Sequence, residues 1–309
     1  MKKEIGISVL LFVLCAITAI KNPAFLSATN LTNLANVIGL FGIFSIGLGL
    51  VIITGGIDLS VGSLYVLGGV LAAYASQFGW AAAFALPLAV CGTIGLINGL
   101  LIAYTRMAPF IVTLAALLGA RGLMRAISSE GSNTYLVQSD AFRSFGNGSF
   151  LGLRYPIFLV AVLVLFGIVL LARTRFGHAV YAVGGSEDAA SLMGIPVRRT
   201  KIFVYVMSGL LAGLAGTINA AALGSGVTTL GTGMELDAIA AVVIGGTLLT
   251  GGAGTVAGTI AGVLLLGVIQ NMINQVGNVQ SSYQQVISGA FLAAVVVAQT
   301  YLTRLRRVT

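Results

Sequence analysis

The chain has 309 residues, 58% of them hydrophobic and only 8% charged, with a formal net charge of +8 and a mean hydropathy of +1.04. A soluble domain carries roughly 25% charged residues, so this composition excludes a water-soluble globular protein and points to a polytopic membrane protein. The basic residues fall in short segments between apolar runs, which marks them as topology signals rather than a nucleic-acid surface.

A bilayer core takes about twenty apolar helical residues per span. Ten segments meet or approach that length: 5–20, 34–54, 59–78, 80–104, 109–128, 156–172, 202–222, 236–250, 253–274 and 284–303. The expected fold is an all-α membrane helix bundle of eight to ten spans, ten being preferred, forming a single permease domain over 1–309. The first segment has the length of a signal-peptide core, but Lys21-Asn22-Pro23 supplies no small-residue cleavage site, so it reads as a membrane helix. Cys15 and Cys91 both lie in apolar runs and read as buried small hydrophobes.

Between the second and third segments lies Gly55-Gly56-Ile57-Asp58-Leu59-Ser60-Val61-Gly62. Its frame returns as Gly245-Gly246-Thr247-Leu248-Leu249-Thr250-Gly251-Gly252, giving Gly-Gly-x-x-Leu-Ser/Thr-x-Gly in both places. Glycine-broken polar interruptions in a membrane chain belong where the backbone lines a pathway or is buried in protein. Aligning the two copies also pairs Gly68 with Gly258, which suggests an internal repeat. Asp58 is costly in a membrane. It can cap the helix that follows, contact solute or enter an ion pair. Leu248 stands in its place in the second copy, so the repeat itself does not require the acid.

Two polar segments interrupt the apolar pattern. Residues 129–155 hold Ser132-Asn133-Thr134 and are expected outside, as a periplasmic loop. Residues 173–201 are expected in the cytoplasm, with Ser186 capping a short helix whose first turn carries Glu187 and Asp188, and with Gly194 and Pro196 ending it. With both termini cytoplasmic, inner segments hold eleven of the sixteen basic residues, and outer segments hold Lys21, Arg143 and Arg154. In this topology both glycine interruptions face the cytoplasm, which makes the repeat parallel.

Further along, Glu235 and Asp237 precede an apolar run and read either as helix N-terminal acids or as a polar mouth. Asn98, Asn219, Gln270, Asn271 and Asn274 can bond solute hydroxyls or neighbouring helices. The chain has no Gly-x-x-x-x-Gly-Lys-Ser/Thr phosphate loop and no lysine between Lys21 and Lys201. One histidine, His178, and two distant cysteines cannot build a metal site of ordinary ligand density. No catalytic residue, metal or cofactor is expected, and ATP-driven transport would need a separate subunit to bind the nucleotide.

Several motifs in order resemble the ribose-type permeases of bacterial ATP-binding-cassette importers: Gly55 to Ser63, Tyr181 to Gly185, Leu192-Met193-Gly194-Ile195, and Glu235 to Gly246. The resemblance runs over nearly the whole chain. It implies a multi-pass inner-membrane subunit in a homodimer or heterodimer, two cytoplasmic ATPase subunits and a periplasmic sugar-binding protein. It also implies a coupling loop that docks on the ATPase, matched here to Gly184, Gly185, Glu187, Asp188, Ala189, Ala190 and Gly194. Family relatives carry pentoses, hexoses, polyols or a furanone-type signal molecule, and a more distant branch carries branched-chain amino acids. The pathway or its helix breaks are expected at Gly55, Gly56, Asp58, Ser60, Gly62, Asn98, Glu235, Asp237, Gly245 and Gly246. Outer loops, including parts of 129–155 and 223–235, are expected to receive the loaded binding protein. The runner-up in the same architecture is an importer subunit for branched-chain amino acids, nucleosides or a furanone-type signal molecule. An ion-coupled carrier acting alone is the rival from another class, and it would need titratable groups deep in the membrane.

Overall fold

Long apolar runs with almost no charge form helices here, because a helix satisfies its own backbone hydrogen bonds within one segment in lipid. The computed structural model describes residues 2–150 and 153–275, together with 286, 289, 290 and 293. In chain order the helices are α1 (Lys2–Lys21), α2 (Ala28–Ile53), α3 (Val61–Ala75), α4 (Trp80–Thr105), α5 (Pro109–Ile127), α6 (Asp140–Asn147), α7 (Tyr155–Arg173), α8 (Arg175–Gly185), α9 (Glu187–Leu192), α10 (Val197–Leu223), α11 (Met234–Ile244) and α12 (Val256–Gln275). A minimal hairpin, β1 (Ser149–Phe150) with β2 (Leu153–Arg154), precedes α7.

Among the described residues seven helices are long and apolar enough to cross a membrane: α2, α3 with its continuation to Phe78, α4, α5, α7, α10 and α12. The protein is therefore an all-α polytopic membrane bundle. The apolar part of α1, Leu11–Lys21, is shorter. The expected segment 236–250 is not a span-length helix: α11 covers eleven residues and stops at Ile244. Hydropathy runs on past that point, but Gly246 has a φ of +96° and Gly251 and Gly252 are also left-handed, a backbone no helix can carry. The expected segment 284–303 lies almost wholly outside the described residues.

The bundle is organised around α10, which packs against α4, α3 and α2. Small residues allow these backbones to touch. A Cβ on Gly209 would overlap the Cys91 carbonyl, one on Gly216 the Tyr65 carbonyl, and one on Gly95 the Tyr205 carbonyl. Such close approach replaces the hydrophobic drive that lipid does not provide between helices. Large buried side chains, Phe44, Leu48, Leu64, Leu67, Tyr205 and Ile218, fill the remaining space. In contrast α7 shows most of its surface outward, as a lipid-facing helix does.

The polar stretch 129–155 is more ordered than its composition suggests. Ser139 caps α6 by accepting from the Phe142 N–H, and Phe142 is buried. The Val137 N–H donates to the Gly224 carbonyl, and the Gly226 N–H to that of Tyr135, so this stretch is laced to the segment following α10.

Candidate functional site

The first glycine break does not stay at the end of the bundle. After α2 the chain climbs inward as an extended segment, held by the Ile57 carbonyl accepting from the Thr113 hydroxyl at 3.2 Å. Asp58 is completely buried. Its Oδ1 accepts from the Ser60 N–H at 2.9 Å and the Ser60 hydroxyl at 2.5 Å, and its Oδ2 from the Ser208 hydroxyl at 2.7 Å. Ser208 lies eleven residues into α10, about 16 Å from its start at 1.5 Å per residue. Asp58 thus sits deep inside the bundle rather than at the cytoplasmic edge that the hydropathy pattern implies. It takes the Ser60 N–H in an Asx turn, while Ser60 itself holds the N-cap position of α3 without a side-chain cap.

A second chain segment descends to the same level from the opposite end. After α10, Gly226 lies against Val70 of α3 and Gly231 against Val66 and the Gly62 carbonyl. There α11 begins, and a Cβ on Gly62 would overlap the Glu235 carboxylate. Both short helices therefore start inside the bundle, each with an acid beside the first turn of α3, where the helix dipole favours negative charge. Asn98 of α4 donates to the Ser60 hydroxyl at 3.4 Å. Tyr205 of α10 places its hydroxyl against Gly56, where any Cβ would crowd it. Three polar atoms of this region are buried with no hydrogen-bond partner among the described residues: the Ser63 and Tyr205 hydroxyls and Glu235 Oε2. Orphaned polar atoms at such depth cost stability, and they lie where the two re-entrant segments meet.

Of the residues marked in the sequence, Gly56, Asp58, Ser60, Gly62, Asn98 and Glu235 are brought to this region. Asp237 follows one helical step later and is half-buried. Gly55 lies apart from it, against Thr250 and Gly251 in a separate junction, and Gly245 and Gly246 are not brought to the acids either. Gly245 packs on Gly258 rather than facing the acids. Tyr205 and Ser208 carry no mark in the sequence, and Ser63 appears only as the end of the first motif. A tyrosine and a serine in an apolar run give no signal until the fold sets them beside Asp58.

That junction ties the two glycine breaks to α8. The Gly252 N–H donates to the Ile53 carbonyl at 2.9 Å. A Cβ on Gly251 would meet the backbone of both Gly55 and Gly184, and one on Gly184 would overlap the Ile53 carbonyl and the Gly252 N–H. The Tyr181 hydroxyl donates to the Gly254 carbonyl at 2.7 Å. Burial pushes the Tyr181 phenol above its ordinary pKa, which keeps this donor protonated.

From this junction the chain continues into α9. Ser186 caps it by accepting from the Ala189 N–H. Gly194, at φ +78°, ends it: its N–H donates to Ser191 and that of Ile195 to Ala190, the two bonds of a Schellman turn. Glu187 pairs with Lys201 of α10 at 2.6 Å. Ala190 is buried against the bundle, whereas Asp188, Ala189 and Gly185 are exposed. Leu192 and Met193 stand 90% and 80% exposed, an apolar pair projecting from a polar surface. Exposed large apolar side chains side by side at the tip of a short capped helix are unusual on a polar surface.

A bundle in which two helices start inside it, with buried acids beside their first turns and glycine breaks packed on each other, has the features of a membrane permease of the solute-transport class. Residues 30–296 match the family described as branched-chain amino acid transport system, permease component, and the chain belongs to that family. It is 41% identical to the ribose import permease of Bacillus subtilis, over 93% of this chain and 89% of that one. It is 37% identical to the L-arabinose ABC transporter permease of Azospirillum brasilense, over 98% and 89%. It is 36% identical to the fructose import permease of Bifidobacterium longum, over 82% and 78%. No solved structure matches the chain.

Proposed function

We propose that this chain is the membrane-spanning subunit of an ATP-driven importer that takes up a monosaccharide delivered by a separate binding protein. The observation that carries this reading is the similarity, over nearly the full length, to permeases that import ribose and arabinose. The family's description names branched-chain amino acids, but the similar relatives named for a substrate are sugar permeases. Glu187, Asp188, Leu192 and Met193 form the surface offered to a cytoplasmic ATPase. Two ATPase subunits, a periplasmic binding protein and a second permease, identical or homologous, complete the assembly. We place both termini and α9 in the cytoplasm, with α6 and the segment 224–233 outside, a reading that the bias of basic residues supports. ATP hydrolysis belongs to the partner subunits.

In this reading ATP-driven closure of the ATPases moves α9 and α8. Gly184 contacts both glycine breaks at once, so the displacement reaches the segments leading into α3 and α11 together. Asp58, Ser60 and Ser208 then form the internal joint about which those segments shift. The direct test is uptake of labelled ribose, arabinose, fructose and leucine into proteoliposomes holding the permease, its ATPase and its binding protein. ATP-dependent uptake of a monosaccharide supports the reading. Uptake of leucine alone would overturn it.

A further inference from the structure

A pocket of about 340 Å³ opens between the end of α5 and the segment that follows α10, at the lower end of the range of about 300–1,000 Å³ typical of small-molecule sites. Its polar lining is Arg121, Arg125, Glu130, Thr228, Thr229 and Thr232. Three features set it apart from a chance hollow. First, Arg121 is a charged residue two turns inside the apolar helix α5, and its Nη2 is buried with no hydrogen-bond partner among the described residues. A desolvated guanidinium N–H left without an acceptor is costly and gains strongly from any oxygen that reaches it. Second, Thr228, Thr229 and Thr232 bring three hydroxyls from the facing segment within five residues. Third, the two walls are fixed in place. Ser128 Oγ accepts from the Gly131 N–H at 3.1 Å, and Gly231, between the threonines, packs on the Gly62 carbonyl of α3.

The lining offers donors that cannot accept, an acceptor that cannot donate, and hydroxyls that do both. That mixture suits a neutral polyol, whose every hydroxyl both donates and accepts, better than it suits a simple anion. We propose that this pocket is a monosaccharide subsite at the outer mouth of the pathway. The Arg121 guanidinium donates to two adjacent sugar hydroxyls, Glu130 accepts from another, and the threonines bond the rest. Gly231, between the lining residues Leu230 and Thr232, packs on the Gly62 carbonyl in the first turn of α3, where Glu235 also lies, so sugar released from the binding protein meets this subsite before the internal joint. This assignment rests on the sugar-importer reading and adds to it the residues that touch the solute.

The test uses the full chain with its ATPase in right-side-out membrane vesicles. Thr229→Cys is labelled with a membrane-impermeant thiosulfonate reagent, with and without millimolar ribose, arabinose, fructose or leucine. At least one monosaccharide slows labelling, leucine does not, and adding Arg121→Gln weakens the protection by roughly tenfold or more, as loss of charge-assisted bonds requires. Thr228→Val with Thr232→Val gives a smaller loss. Uptake by the same importer in proteoliposomes is measured in parallel. Uptake of a monosaccharide with no protection, or with protection unchanged by Arg121→Gln, overturns the subsite and leaves the importer reading standing. Protection by leucine overturns both. If Arg121→Gln lowers only binding-protein-stimulated ATPase activity and leaves protection intact, the arginine is a protein-docking contact and the subsite is overturned. Arg121→Lys guards against misfolding: it keeps the charge and restores part of the protection.

Discussion

Asp58 shows how one side chain can be legible in kind and illegible in detail. An acid in a membrane chain carries a cost that marks it from composition alone. Its bond to the Ser60 N–H is local and follows from the Asp-x-Ser order. Its other bond goes to Ser208, 150 residues away on α10, and no local pattern announces that partner. The geometry distinguishes three substitutions. Asp58→Asn keeps one acceptor oxygen toward Ser60, and the Ser208 hydroxyl can rotate to accept from the new amide. Asp58→Ala strands the Ser60 N–H and both serine hydroxyls, at about 1–3 kcal/mol for each buried group left unsatisfied. Asp58→Leu strands the same groups and adds bulk beside Gly56 and Tyr205. The alanine and leucine variants should unfold at clearly lower temperature than wild type in detergent, with the asparagine variant close to it. A thermal-aggregation series on the purified permease checks the order.

At the scale of elements, the short helix α9 is readable from sequence and the second glycine break is not. The cap of α9 by Ser186, its acidic first turn and its stop at Gly194 are all set within ten residues, so sequence order decides them. The end of α11 depends on left-handed glycines within a run that stays apolar through Leu249, and hydropathy does not register backbone sign. The two glycines at the α8–α9 step differ in the same way. Sequence treats Gly184 and Gly185 alike, yet a Cβ on Gly184 overlaps the backbone of Ile53, while Gly185 has open space around it. Gly184→Ala should therefore abolish ATP-driven uptake, and Gly185→Ala should leave it within about twofold, because the contact to the breaks survives. Farther along, Leu192→Asp or Met193→Asp should strip the ATPase from the solubilised complex without changing the yield of permease, since both side chains are nearly free of contacts within the chain. Co-purification measures that loss. ATPase retained at wild-type ratio in both variants would move the docking surface elsewhere.

For the whole molecule, the proposed mechanism makes the two breaks, α8 with α9 and the internal acids one mechanical path. The Gly252–Ile53 bond and the Gly184 contact join three distant stretches of sequence at one end of the bundle. From there the first break climbs to Asp58 and the second turns back into α12, so the two copies of one motif do different work. Tyr181 is the side-chain strut of this path, because its hydroxyl holds the Gly254 carbonyl. Tyr181→Phe removes that bond and little volume. The permease should still assemble with its ATPase, and ATP hydrolysis should continue, while sugar moved per ATP falls severalfold, since α8 can then shift without carrying the second break. Orientation is checked on the same preparations with single cysteines at Arg106 and Met193, reached by impermeant reagent only from the ATPase side, and at Asn147 and Thr229, reached only from the other side. If uptake per ATP is unchanged in Tyr181→Phe, the second break is passive, and the stroke passes through Gly184 and the first break alone.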